Sequence, residues 1–149
     1  MYQYYTTTLM FAGNVRAQDE PHFWACPHLP ADGFDEYIKT PDGGMRILNY
    51  PQQEASVDDQ NGTGGHTDFE CFIMIVNQDD CGGLEVLSES GSWIRAKPVP
   101  GSLVVNIADC FMRQTNDFFV STVHRVVNKS GRERYSVSLS LRLRSDQEA

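Results

Sequence analysis

From residue 45 onward the chain runs in short stretches of apolar and β-branched residues cut by turn formers. The stretches 45–50, 69–76, 84–87, 93–97, 103–107, 119–128 and 135–143 are rich in Val, Ile, Leu, Phe and Tyr, side chains that suit a pleated, half-buried surface. Between them stand Cys81-Gly82-Gly83, Ser90-Gly91-Ser92, Pro98-Val99-Pro100-Gly101 and Lys129-Ser130-Gly131, where Gly and Pro set the backbone angles of turns. Many short strands without intervening helices of crossover length predict an antiparallel sandwich or barrel. One helical turn is expected near 108–115 as the sole interruption. No internal repeat or low-complexity tract is present.

Residues 1–44 carry scattered aromatics and weak periodicity, and Pro21, Pro27, Pro30 and Pro41 break any long helix. A single short helix is predicted at 34–39, with Asp32 as N-cap, acidic residues in the first turn, Lys39 in the last, and Pro41 and Gly43-Gly44 beyond it. The organisation read from the chain is an irregular segment at 1–44, a β core at 45–144 and a tail at 145–149.

Composition narrows the function. At 149 residues there is room for one core. Twelve Lys and Arg against twenty Asp and Glu give a formal net charge of −8, which argues against nucleic acid or an anionic membrane as partner. Cys26, Cys71, Cys81 and Cys110 form no Cys-x-x-Cys pair and read as thiols of a reducing compartment. The N-terminus lacks a signal-peptide pattern, and nowhere do about 18 apolar residues run together. A cytoplasmic protein is expected.

Two constellations could carry chemistry. In Gly64-Gly65-His66-Thr67-Asp68-Phe69, an extended backbone puts His66 and Asp68 on one face, so an imidazole nitrogen and a carboxylate oxygen can meet one ion. His124, far along the chain, is the candidate third ligand. Two imidazoles and a carboxylate make a facial triad that leaves coordination positions open and suits Fe(II) better than zinc, which favours tetrahedral closure, often with thiolates. The same residues also fit a polar turn and a hydrogen-bonded core histidine. In Arg132-Glu133-Arg134-Tyr135-Ser136, a strand would place Arg134, Ser136, Ser138 and Ser140 on one face and Tyr135, Val137, Leu139 and Leu141 on the other. Arg134 with Ser136 could hold a carboxylate bidentately with an extra hydrogen bond, or the polar face could simply meet water.

An ordered series of motifs bears on both choices. Gly65-His66-Thr67-Asp68-Phe69, Gly82-Gly83-Leu84-Glu85-Val86, Trp93-Ile94, Pro100-Gly101, Val105-Asn106-Ile107-Ala108-Asp109, Thr115-Asn116-Asp117, Ser121-Thr122-Val123-His124-Arg125-Val126 and Arg132-Glu133-Arg134-Tyr135-Ser136 follow one another. Together they resemble the catalytic core of the 2-oxoglutarate- and Fe(II)-dependent dioxygenases of the isopenicillin N synthase-like superfamily, from about Met45 to Leu143. The resemblance implies a double-stranded β-helix, a distorted jelly roll. It implies Fe(II) on His66, Asp68 and His124, and 2-oxoglutarate as co-substrate with its far carboxylate on Arg134 and Ser136. Tyr50, in Leu48-Asn49-Tyr50-Pro51, falls where the family commonly hydrogen-bonds the same co-substrate. No catalytic residue beyond the metal ligands is implied. Ala108 stands where the family usually has glycine, and Ile73 where related sequences often have threonine.

The implied reaction couples oxidative decarboxylation of 2-oxoglutarate to hydroxylation, desaturation or cyclisation of a small molecule with O2. Other readings are an Fe(II) oxidase of the same superfamily that needs no 2-oxoglutarate, and a truncated, non-catalytic jelly roll that binds or oligomerises. The family usually has a much longer N-terminal region, so the outward face of the 135–141 strand should need cover. Leaving such side chains wet forfeits about 1.5–3 kcal/mol each, so residues 1–39, a second copy or a partner is expected there. The spacing His22, Cys26, His28 reads as loop rather than a second metal site, and Asp79-Asp80-Cys81 as a hairpin turn. Trp93 and Phe111 read as packing. A weak preference for an apolar metabolite rests on Phe72 and Phe111 as wall candidates.

Overall fold

Strands form where the apolar runs can bury one face, and they pair into two antiparallel layers. The computed structural model describes residues 42–52, 61–77, 81–99 and 102–142. All of these except Asp42, Gly43 and Arg142 belong to one unit, Gly44–Leu141. In chain order the elements are β1 (Asp42–Tyr50), β2 (Asn61–His66), β3 (Phe72–Asn77), β4 (Leu84–Leu87), β5 (Trp93–Arg95), β6 (Val104–Ile107), α1 (Asp109–Gln114), β7 (His124–Val127) and β8 (Arg134–Arg142). One sheet has the order β1-β8-β3-β6 and the other β2-β7-β4-β5. Strands distant in sequence are neighbours in each sheet, as the jelly roll requires. No helix among the described residues is long and apolar enough to cross a membrane.

Tyr50, Ile75, Leu84 and Val126 form a buried cluster with contributions from both sheets, and Ile73, Ala96 and Val104 pack against it. A second cluster forms around α1. Phe111 is fully buried and its ring lies 4.4 Å from that of Phe72, with Phe119 stacked on it at 5.4 Å. Ala108, the N-cap residue, is also fully buried, and at φ −111° it needs no glycine. The family's usual glycine is therefore replaced without strain.

Two sequence expectations are corrected, at residues 119–123 and at Phe72 and Phe111, and one strand is added to those the sequence predicts. Residues 61–66 are a strand although the run Asn61-Gly62-Thr63-Gly64-Gly65 has no β-forming composition; pairing to β7 holds it, across two register shifts. Residues 119–123 are irregular despite reading as strand. Asn116 and Asp117 adopt positive φ (51° and 62°) and Phe119 N–H donates to Thr115 Oγ1, so the chain turns back onto α1 before β7 begins. Phe72 and Phe111 spend their rings on each other and do not line the main cavity. On β8, Leu139 is 2% exposed while Tyr135 remains 43% exposed. The helix expected at 34–39, the His22-Cys26-His28 spacing, the covering segment and the 145–149 tail lie outside the described residues.

Candidate metal centre

His66 and His124 are direct Cα partners across β2 and β7, which sets their rings 4.4 Å apart. Each ring is oriented by a backbone carbonyl two residues earlier: His66 Nδ1 lies 2.7 Å from Gly64 O and His124 Nδ1 3.1 Å from Thr122 O. A carbonyl only accepts, so each Nδ1 carries a proton and Nε2 faces the centre, the tautomer a metal ligand needs. His66 Nε2 is 3.6 Å from Asp68 Oδ1, and His124 Nε2 is 3.4 Å from Asp68 Oδ2.

Asp68 is held from several sides. Its backbone carbonyl accepts from Asp109 N–H at 2.9 Å, and Cys110 N–H reaches the carbonyls of Phe69 and Glu70, so the first amides of α1 anchor the segment after β2. Thr67 Oγ1 donates to Asp109 Oδ2 at 3.1 Å. Asn106 Nδ2 donates to Asp68 Oδ2 at 2.7 Å, fixing the carboxylate's rotation.

The ligand atoms of His66, Asp68 and His124 all lie within 4.8 Å of one another. Metal–ligand bonds of about 2.0–2.2 Å place adjacent donors roughly 3 Å apart, so a small closing movement around an ion suffices. Two imidazole nitrogens and a carboxylate, all presenting lone pairs to one point, form an arrangement that a cation relieves. No thiolate belongs to the cluster, and the donor set fits Fe(II) with open positions.

Those positions open into a cavity of about 350 Å³ between the two sheets, lined by the three ligands and also by Tyr50, Arg134 and Ser136. Arg134 is 1% exposed and Ser136 4%, both on the inward face of β8. The Arg134 guanidinium carbon sits 4.9 Å from the Tyr50 ring centroid. Two glycines make this possible. A Cβ at Gly62 would fall 2.5 Å from Tyr50 Cδ1, and one at Gly83, where φ is +103°, would meet Val127 O at 2.7 Å and lie 3.7 Å from Arg134 Cδ. The outer partner of β8 is also fixed: Asn49 Nδ2 donates to Glu133 Oε1 at 2.7 Å. That bond, with a further one from Tyr135, holds the Glu133 carboxyl below its usual pKa, while bonding to Glu133 raises the Tyr135 phenol.

Asn106 and Gly83 stand in the quoted motifs, yet sequence reasoning assigned them no role at the centre, and it passed over Gly62 and Asn128. Asn128 is 6% exposed and its amide donates to Tyr50 O at 3.4 Å, Pro51 O at 3.0 Å and Arg132 O at 2.9 Å. It clasps the end of β1 to the approach to β8. A lone Asn inside the apolar run Val104-Val105-Asn106-Ile107 was the available signal, since strands disfavour Asn. Arg46 and Glu70 also line the cavity and carried no sequence signal.

Comparison with known proteins gives a consistent outcome. A family model described as the 2OG-Fe(II) oxygenase superfamily matches residues 42–142, the span from β1 to β8. The chain is similar to the 2-oxoglutarate-Fe(II) type oxidoreductase hxnY of Emericella nidulans, 49% identical over 96 residues that cover 62% of this chain and 27% of that protein. It is similar to the 2-oxoglutarate-Fe(II) type oxidoreductase ppzC of Metarhizium majus, 46% identical over 117 residues, 73% of this chain and 31% of that one. Among solved structures, full-length Neurospora crassa T7H in complex with alpha-KG aligns at a TM-score of 0.71 and 34% identity, covering 76% of this chain and 38% of that one. The chain thus spans between 27% and 38% of the length of these proteins.

Proposed function

The chain belongs to the 2OG-Fe(II) oxygenase superfamily, and from that premise we propose that its 45–144 core is a dioxygenase core. It would couple decarboxylation of 2-oxoglutarate to oxidation of a small molecule: hydroxylation, desaturation or cyclisation. One observation chiefly supports this reading. The convergent donors of His66, Asp68 and His124 face the same cavity as the buried Arg134 guanidinium and Ser136 hydroxyl.

In this reading His66, Asp68 and His124 hold the iron. When bound, Fe(II) supplies the reactivity toward O2 that converts 2-oxoglutarate to succinate and CO2. Arg134 and Ser136 take the far carboxylate of 2-oxoglutarate, the guanidinium as a charged fork and the hydroxyl as an added donor. Burial strengthens both contacts by excluding competing water. Tyr50 keeps the guanidinium in place through its ring and offers its phenol to the same carboxylate. The Ile73, Ile75, Leu84 and Val126 side chains on the cavity wall fit the co-substrate's methylenes. The thiols at Cys71, Cys81 and Cys110 support assignment to the cytoplasm, which fractionation checks.

The test is anaerobic iron loading of the purified chain, followed by measurement of succinate. One iron per chain, and succinate that depends on added 2-oxoglutarate and O2, are expected. Iron uptake without such succinate would favour the 2-oxoglutarate-independent oxidase, and failure to take iron the non-catalytic module.

A further inference from the structure

A second cavity, of about 250 Å³, shares Ile75, Leu84 and His124 with the first. Its wall carries fewer charges. The first is lined by Arg46, Asp68, Glu70, Arg134 and three serines of β8, a wall that holds water and anions. Seven of the ten residues lining the second are Val, Ile or Leu. Of its three polar side chains, Asn106 is engaged with Asp68 and His124 Nδ1 with Thr122 O, and the Thr122 hydroxyl is the third. Retained water needs about two to four polar partners, so this wall holds water weakly and its aliphatic part suits apolar guests such as xenon. Val105 and Val120 lie at its edge and are 46% and 62% exposed, which gives the cavity an apolar mouth at the surface.

Resting on the function proposed above, we propose that this second cavity is the O2 entry site, delivering an apolar diatomic to the His124 side of the centre while charged molecules use the first cavity. The two reactant classes differ most in charge, and of the two cavities, which share His124, only the first is lined by charged side chains. A charged co-substrate would lose its hydration in the aliphatic cavity without gaining partners. O2 loses almost nothing there.

The test uses xenon as an apolar probe on the full chain with ¹³C-labelled valine methyls. Saturable shifts at Val86 and Val104, with Val126 of the first cavity unmoved, are expected. Absence of those shifts, or equal shifts at Val126, overturns the proposal. Val120→Trp fills the mouth at an exposed position. It should abolish the xenon shifts and raise the apparent KM for O2 about threefold or more in 2-oxoglutarate turnover, with the KM for 2-oxoglutarate and iron affinity unchanged. Xenon shifts that survive in this variant, or an unchanged KM for O2, overturn the entry route. Wild-type iron uptake and succinate formation are measured first. Their absence removes the parent reading, whereas their presence with an unchanged KM for O2 in the variant removes only this inference.

Discussion

Replacing Asn106 with Leu keeps the side chain's size and deletes the donor that lies 2.7 Å from Asp68 Oδ2. A hydrogen bond to a charged group contributes about 1.5–3 kcal/mol net. At about 1.4 kcal/mol per tenfold, that corresponds to roughly 10- to 150-fold in affinity if the whole bond serves to hold Asp68 ready to ligate. Outer partners of metal ligands commonly carry about 10- to 100-fold, so the two routes agree. Asn106→Leu should therefore raise the Kd for Co(II), an air-stable stand-in for Fe(II), by about 10- to 100-fold. Anaerobic calorimetric titration of the apoprotein measures it, with circular dichroism to check folding. Asn49→Ala serves as control, because it removes a bond of equal length to Glu133 away from the ligands. A folded Asn106→Leu protein whose Kd stays within about twofold of wild type, or an equal loss in the control, would refute the argument that Asn106 sets the ligand's orientation.

Other outcomes follow from the same geometry. Arg134→Lys keeps the charge and loses the fork, so 2-oxoglutarate should bind at least about tenfold more weakly with metal affinity unchanged; equal loss of both would tell against the assigned role. Gly62→Ala places a methyl into the Tyr50 ring and should cost about 1–3 kcal/mol of stability, the usual range for overpacking, read from the urea midpoint. Asn128→Ala leaves the carbonyls of Tyr50, Pro51 and Arg132 without their shared donor and should cost about 1–3 kcal/mol in the same assay. The lowered pKa of Glu133 makes its contribution complete above the unfolded-state value and lost as pH falls through the lower folded-state one. The stability difference between wild type and Glu133→Gln should thus be present at neutral pH, fade as pH falls below the ordinary carboxylate range, and vanish once the folded-state carboxyl is protonated. A difference that persisted there would disprove the assignment.

The sequence made β8 legible because its alternation has period two and its polar face is Arg134, three Ser and Arg142, so face and chemistry coincide. His66 and Asp68 were legible because two positions along an extended chain share a face whatever the surrounding fold. Their convergence with His124 was not readable from spacing, since it depends on the β2–β7 register. β2 itself escaped notice because glycine carries no strand preference. There the small residues serve a neighbour, leaving room for Tyr50. Phe119-Val120-Ser121-Thr122-Val123 misled for the converse reason, a β-forming composition overruled by the tight reversal at Asn116 and Asp117. Phe72 reads as a wall residue until α1 is seen to seat Phe111 against it. For β2 and Phe72 the local signal lost to contacts with residues far along the chain, and for 119–123 to the reversal just before it.

The facing histidines on β2 and β7 have a further bearing. Sliding β2 by a single residue would turn His66 to the opposite face of the sheet, and the pairing is already irregular at two points. A cation gripping both rings would act as a rivet that admits only one alignment of these strands. Its binding would be conformational selection as much as chemistry, adding about 2.7 kcal/mol to folding at a hundredfold excess over its Kd. Iron scarcity in the cell would then lower the amount of folded protein as well as its turnover.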